Sequence, residues 1–165
     1  MRSTLVRLLP MALLLALPAG THAQANQPYS PGNKSLSQPA EGFWFGHPGK
    51  LSDVTRTIRI DATDDRFQPA VVNVKAGQTV RFEIVDRGTL AHEFVIGDVA
   101  EQRVHDKEMA AMPGMPMDDP NGVSVAAGKT ATLIWTFTHP ATLQYACHVP
   151  GHYAAGMFGQ LNVHG

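Results

Sequence analysis

From Val54 onward the sequence is built of short runs rich in β-branched and aromatic residues, separated by turn residues such as Gly, Pro and Asn. Turn signals recur at intervals of roughly 8–12 residues, which is the spacing of strands in sandwiches and barrels. The runs occupy residues 54–61, 67–74, 79–85, 89–96, 122–125, 130–137, 142–147 and 158–163. This pattern predicts an all-β fold, a Greek-key antiparallel β-sandwich or barrel of about eight strands.

One segment, Gly97–Asn121, interrupts the succession of strands. It is too long for a hairpin turn, and insertions of this length usually carry function or a small structure of their own. Within it, Val99–Met112 is predicted as a short helix that Pro113 ends, because proline cannot continue a helix. We therefore expect a long, partly helical insertion at residues 97–121.

The first 25 residues have the order of a secretory signal peptide. Arg2 and Arg7 precede an apolar run, Leu8–Leu17, and Ala23-Gln24-Ala25 forms a small-x-small cleavage site. The apolar run is about half the ~20 residues that a membrane-spanning helix needs, and a retained anchor is the alternative. The sequence predicts a periplasmic protein with no membrane span after cleavage.

Residues 26–50 are rich in Pro, Gly, Ser, Asn and Gln and show little periodicity. They are predicted to form a flexible N-terminal arm, which the aromatic residues 43–45 would attach to the body of the protein. Residues 51–165 are long enough for one domain with its own core. The predicted layout is thus a signal peptide, an arm and a single domain.

The chain has a single cysteine, Cys147, so an internal disulfide is impossible. A free thiol is a hazard in an oxidising compartment, so this sulfur is either buried or bound. The formal net charge of the whole chain is −1, which gives no indication of a nucleic-acid partner or of an anionic membrane.

The segment CHVPGHYAAGM, residues 147–157, ends one predicted strand and leads into the last one. A loop of this kind can bring Cys147, His152 and Met157 towards one point. Thiolate, imidazole and thioether are a soft donor set that suits copper in both oxidation states. His92, in an otherwise apolar run, is the best candidate for a second imidazole. Two histidines, one cysteine and a weak axial methionine are the ligands of a type 1 copper site.

Several motifs also resemble those of the cupredoxin family across residues 55–163. Residues 66–82 contain F-x-P and V-x-x-G-x-x-V-x-F, which are similar to the opening strands of that family. The family's ligand pattern matches His92, Cys147, His152 and Met157. Within the family, the chain looks most like periplasmic cupredoxins associated with copper tolerance, which share HEF-x-I, a Met-containing insertion, DDPN, and PGH followed by GM.

The resemblance implies one mononuclear type 1 copper and a role in copper handling. It also implies that the backbone N–H of Glu93 donates to the sulfur of Cys147, and that the edge of the His152 ring faces the surface. The gaps on either side of His152 make the ligand loop longer than in plastocyanin-like members, which leaves the colour and the reduction potential of the site open.

Other interpretations of the same residues are weaker. A thiol protease pairing Cys147 with His152 would need an orienting third residue and an oxyanion site. A zinc site would make poor use of Met157. A dinuclear electron-transfer centre needs two cysteines, and a multicopper oxidase needs further histidine pairs. His148 is predicted to be a surface histidine that points away from the site, because neighbouring residues at a strand end face opposite ways.

Four of the seven methionines lie between residues 109 and 117 of the insertion. Thioethers in such a segment can capture Cu(I), which makes this segment a candidate second site. Its candidate ligands are His105, Met109, Met112, Met115 and Met117. The alternative is that these methionines form an adaptable apolar lid or a docking surface. The remaining histidines, His47, His139 and His164, are isolated and receive no role.

Two function classes remain open. The favoured one is a periplasmic copper-tolerance protein, monomeric, that binds or weakly oxidises copper but is otherwise not an enzyme. The other is a soluble electron-transfer carrier that docks with a redox partner protein. The fold and the type 1 ligands are common to both classes.

Overall fold

The computed structural model describes residues 43–112 and 119–165. The predicted signal peptide and most of the predicted arm lie outside these residues. All described residues fall within one unit, Leu36–Gly165. Among the described helices, none combines the length and the apolar character that crossing a bilayer requires.

Ten strands of the described residues form two five-stranded sheets. The strand order is β1-β8-β5-β2-β3 in the first sheet and β4-β10-β9-β6-β7 in the second. The strands are β1 Gly46–Pro48, β2 Arg56–Thr63, β3 Arg66–Gln68, β4 Val71–Lys75, β5 Thr79–Asp86, β6 His92–Gly97, β7 Gly122–Val125, β8 Thr130–Phe137, β9 Ala141–Ala146 and β10 Phe158–His164. A short 3₁₀ helix, Leu51–Asp53, and one α-helix, α1 Val99–Ala111, complete the elements.

The predicted all-β fold is confirmed. Most neighbouring strands are antiparallel, but β2 pairs with β5, and β4 with β10, in parallel. Alternation explains the burial: Val80, Phe82 and Ile84 of β5 face the core, while Arg81 and Glu83 point outward and form an ion pair of 3.0 Å.

Two predicted strands differ from the observed ones. The run 67–74 is divided into β3 and β4, which belong to different sheets, and Pro69 between them has no N–H to give to a ladder. The run predicted from residue 89 begins only at His92. Here the N–H groups of Thr89 and Leu90 donate to Oδ1 of Asp64, at 2.8 and 3.1 Å, instead of to a neighbouring strand.

Part of the predicted arm belongs to the sheet. Gly46–Pro48 pairs with β8, and Phe45 is fully buried with its ring 5.6 Å from that of Trp135. The ring of Phe43 also lies 5.6 Å from Trp135. Attachment through aromatic residues 43–45 is therefore observed, and the domain extends at least to Phe43.

The predicted helix of the insertion is present as α1, and it packs against β6 and β9. Asp98 caps its first turn: the carboxylate accepts the N–H groups of Ala100 and Glu101, and Glu101 accepts the N–H of Asp98 in return. Gln102 and Met109 are buried on the side that faces the sheet. The helix thus covers the end of the second sheet beside the predicted ligand loop.

Candidate metal centre

The second sheet places the predicted ligands at one of its ends. Cys147 directly follows β9, Met157 directly precedes β10, and His92 is the first residue of β6. β9 lies between β10 and β6, so all three positions are on neighbouring strands. The N–H of Cys147 donates to the carbonyl oxygen of Met157 at 3.1 Å, which continues the β9–β10 pairing into the loop.

Backbone turns between these strands fix the position of His152. Its N–H donates to the carbonyl oxygen of Val149 at 2.9 Å, and its own carbonyl oxygen accepts the N–H of Met157 at 3.0 Å. Gly151 has a φ of 91°, a conformation that costs other residues strain. The loop therefore turns back on itself and returns the chain to β10.

The sulfur and the two imidazoles lie close together. Sγ of Cys147 is 3.5 Å from Nδ1 of His152, and the ring centroids of His92 and His152 are 5.3 Å apart. The N–H of Glu93 donates to Sγ at 3.4 Å, as the sequence resemblance implies. Cys147, Met157 and His92 are buried, whereas His152 is partly exposed.

The ring of His92 lies between two carboxylates. Its Nδ1 is 2.8 Å from Oδ2 of the buried Asp86, and its Nε2 is 3.8 Å from Oδ1 of Asp64. Nε2 is buried and has no hydrogen-bond partner among the described residues. A metal-binding histidine commonly has one ring nitrogen held by a carboxylate, which fixes the tautomer and strengthens the other nitrogen as a ligand.

Protonation in the metal-free site follows from burial. Burial raises the pKa of the Cys147 thiol to about 11, although the N–H groups of Glu93 and Val149 oppose the shift. Burial, together with the neighbouring His92, lowers the pKa of His152. At neutral pH the thiol is therefore protonated and the imidazole of His152 is neutral, so of these two groups the thiol is the one that must lose a proton to a metal.

The donor types fit copper. A buried sulfur beside two imidazoles, with a buried thioether next to the cysteine along the sheet, is a soft set. Within residues 43–112 and 119–165, no three His, Cys, Asp or Glu side chains already have the spacing of metal ligands, so binding requires side-chain adjustment. The unpartnered ring nitrogen of His92 and the proximity of Cys147 to His152 are the features that a metal would use.

Comparison with known proteins decides the family. A family model described as copper binding proteins of the plastocyanin/azurin family matches residues 54–164. The chain belongs to this family, the cupredoxins. This cupredoxin therefore binds copper.

Relatives of this cupredoxin include the copper-resistant cuproproteins CopI of Rubrivivax gelatinosus and of Pseudomonas aeruginosa, each 38% identical to it. The first match covers 93% of this chain and 95% of the relative, and the second covers 95% and 97%. Among solved structures, reduced auracyanin from Roseiflexus castenholzii is similar, with a TM-score of 0.60 and 27% identity over 68% of this chain and 99% of auracyanin.

The prediction that His148 lies on the surface of this cupredoxin is wrong. Its side chain is fully buried, with its ring 4.7 Å from that of His105 and 5.0 Å from that of Tyr153. Nε2 of His148 also lies 2.6 Å from Oε1 of Gln102 in α1. Strand alternation correctly turns His148 away from the Cys147 side, but α1 covers the face to which it turns.

The predicted Cu(I) ligands of the insertion are only partly described. His105 and Met109 lie on α1, where Met109 is buried, and Met112 follows the helix and is exposed. Burial of Met109 agrees with a packing role, whereas the thioether of Met112 is accessible. Met115 and Met117 lie outside the described residues, so this second site stays a prediction.

Residue-pattern reasoning did not identify Asp86, Asp64 and Gln102. Asp86 is a buried carboxylate at the end of β5, and Asp64 lies in the turn between β2 and β3. The one available signal was a charged residue directly after the apolar alternation of β5. Nothing local connects Asp64 with His92, because the contact depends on how the two sheets come together.

Proposed function

We propose that this cupredoxin is a periplasmic copper-tolerance protein that holds one redox-active copper. His92, Cys147, His152 and Met157 are the ligands in this proposal. The observation that carries it is the buried sulfur of Cys147, which accepts the N–H of Glu93 and lies 3.5 Å from Nδ1 of His152. A buried cysteine in this setting can bind a metal once the metal displaces its proton.

The chain contributes rigidity and control of polarity to this site. Copper, when bound, supplies one-electron exchange between Cu(I) and Cu(II). His92 is oriented by Asp86, and Cys147 and Met157 are fixed by the strands that they adjoin. Because these side chains are held by strands and hydrogen bonds, little has to move when the charge of the site changes. The N–H of Glu93 and the apolar surroundings would tune the potential.

Two lines support copper tolerance and a periplasmic location. Relatives that match nearly the whole chain bear the name copper-resistant cuproprotein. The first 25 residues have the pattern of a secretory signal peptide. In this proposal the protein holds copper as a monomer and does not turn over a substrate.

A second candidate function is electron transfer to a partner protein. It is favoured by the partial exposure of His152, beside the buried His92, since one ligand then reaches the surface of the site. The two functions differ in when the protein is needed. A carrier is needed for its partner's reaction at low copper, whereas a tolerance protein is needed only under excess copper.

Growth of a deletion strain over a range of copper concentrations tests the proposal. We expect a growth defect only at high copper, restored by the wild type and by His139→Ala, whose histidine is exposed and outside the site. Cys147→Ala, produced in equal amount, should not restore growth. Normal growth of the deletion strain at every copper concentration would contradict the tolerance function.

The ligand assignment is tested separately on purified protein. We expect wild type loaded with Cu(II) to have an intense visible copper–thiolate band, and Cys147→Ala to lack it. If Cys147→Ala keeps the band, Cys147 is not the thiolate ligand. This outcome would overturn the site even if the growth phenotype were present.

A further inference from the structure

A second cluster of histidines and carboxylates lies between α1 and the end of β9. The rings of His105 and His148 are 4.7 Å apart and inclined by 74°. Oδ2 of Asp119 is 3.4 Å from Nδ1 of His105, and Oδ1 of Asp106 is 3.6 Å from Nδ1 of His148. None of these groups is among the copper ligands described above.

The hydrogen-bond network fixes the tautomer of His148. The amide nitrogen of Gln102 lies 2.9 Å from the carbonyl oxygen of Val95 and 3.3 Å from that of Gln144, so it must donate to them. Oε1 of Gln102 therefore faces His148, and Nε2 of His148 donates to it at 2.6 Å. In the neutral ring, Nδ1 then carries a bare lone pair. It is buried and has no hydrogen-bond partner among the described residues.

His105 has a similar arrangement. Its Nδ1 is 3.4 Å from Oδ2 of Asp119, which can only accept, so Asp119 favours the tautomer with the proton on Nδ1. Nε2 is then the bare nitrogen, and it too is buried with no partner in the part of the chain that the structure describes. Two unprotonated imidazole nitrogens are thus placed on adjoining rings.

The groups around these nitrogens are acceptors as well. The carboxylate of Asp106 faces Nδ1 of His148, with Oδ1 at 3.6 Å. Buried ring nitrogens that have no donor are costly, and a bound ion is one of the ordinary explanations.

We propose that His105 and His148 bind a second divalent transition-metal ion, preferentially Cu(II), through Nε2 and Nδ1, with the carboxylate of Asp106 as third ligand. Imidazole and carboxylate suit Cu(II) and Zn(II), and Cu(II) binds most tightly among first-row divalent ions. Asp119 and Gln102 are positioning residues, because each holds the other ring nitrogen of a ligand histidine.

The exposure of the side chains indicates how an ion could reach the second site, and chain position indicates where this site lies relative to the first. The side chains of Asp106 and Asp119 are 32% and 52% exposed, so an ion can approach from their side, whereas His148 closes the inner side. The ligands need to move closer together, as their present distances are longer than coordination bonds. Cys147 and His148 are consecutive, so the two sites would occupy opposite sides of one backbone segment.

The test uses full-length processed protein with its first site filled. Protein carrying one equivalent of copper is oxidised until the thiolate band is constant, and Cu(II) is then titrated and followed by electron paramagnetic resonance. We expect a second Cu(II) signal with nitrogen hyperfine structure, without growth of the thiolate band. Oxidising conditions limit binding by thioethers, which prefer Cu(I).

His105→Gln and His148→Gln should each lose this second signal while retaining the thiolate band, which also reports folding. His105→Gln is the safer variant, because its side chain lies on α1 and is 14% exposed, whereas His148 is fully buried. His139→Gln removes an exposed histidine and serves as the matched control, which should retain both signals.

Three results would overturn the second site: wild type that binds only one copper, a second signal that persists in both variants, or a second signal that His139→Gln also abolishes. The first site is judged by the thiolate band alone. Failure of the proposed copper-tolerance function and failure of this second site are therefore distinguishable.

Discussion

The backbone N–H of Glu93 donates to Sγ of Cys147 at 3.4 Å, although the two residues are 54 positions apart. The register of β6 and β9, in which Val95 faces Ala146, positions this donor. A donor that belongs to a paired strand cannot rotate away as a side chain can. Glu93 thus contributes its N–H to the sulfur, while its buried carboxylate lies near the N–H of His148 on the other side.

Removing the charge of Asp86 should raise the reduction potential of the copper. Oδ2 of Asp86 is 2.8 Å from Nδ1 of His92, and a nearby negative charge favours the oxidised ion. Asp86→Asn keeps the shape of the side chain but offers one acceptor oxygen where Asp86 offers two, to Gly88 and to His92. We expect a rise of tens of millivolts in a redox titration of the thiolate band. Asp53→Asn, at an exposed position, is the control, and an unchanged or lower potential in Asp86→Asn would contradict the assignment.

Copper affinity should increase with pH well above neutrality. The pKa of the copper-free Cys147 thiol is about 11, so copper must displace its proton at any pH below that value. The pKa of His152 is lowered, so its ring is already neutral. Between about pH 7 and about pH 9 we expect the affinity for Cu(I) to rise about tenfold per pH unit.

A competition titration with a Cu(I) chelator of known pH dependence measures this slope. Met157→Leu is the matched control, because a thioether carries no proton: its affinity should be lower but its slope the same. An affinity that does not change with pH would mean that Cys147 is not the group that loses a proton.

Local pattern is sufficient to predict most of the strands and the ligand loop. Alternation in β5 predicts that Val80 and Phe82 are buried, and this prediction does not depend on which strand pairs with β5. Cys147, His152 and Met157 lie in one loop whose ends are fixed by β9 and β10. Three of the four proposed ligands are therefore close to one another in the sequence. Only His92 had to be inferred from its apolar surroundings.

Contacts across the fold are not encoded in such patterns. The burial of His148 depends on Gln102, which is 46 residues away on a helix whose packing direction cannot be seen in its sequence. The late start of β6 depends on Asp64, whose carboxylate takes the N–H groups of Thr89 and Leu90. In both cases a polar side chain from a distant element makes the contact. Local reasoning instead places His148 at the surface and pairs residues 89–91 with a neighbouring strand.

The aromatic contact before β1 should contribute strongly to stability. Phe45 is fully buried against Trp135, whereas Trp44 next to it is 52% exposed. We expect Phe45→Ala to lower the free energy of unfolding by about 3–5 kcal/mol in urea denaturation of the copper-free protein. Trp44→Ala should cost much less. Equal effects of the two substitutions would mean that residues 43–48 do not form part of the core.

Gln102 should be the residue that holds α1 on the second sheet. Its amide donates to the carbonyl oxygens of Val95 and Gln144, and its Oε1 accepts from Nε2 of His148. Gln102→Ala leaves buried groups on both sides without partners, so we expect a loss of about 2–3 kcal/mol in the free energy of unfolding. Arg103→Ala, at the next and exposed position of α1, should change it little. Hydrogen exchange of the α1 amides gives a second readout: faster exchange in Gln102→Ala alone is expected, and equal exchange in both variants would show that apolar packing, rather than this amide, holds the helix.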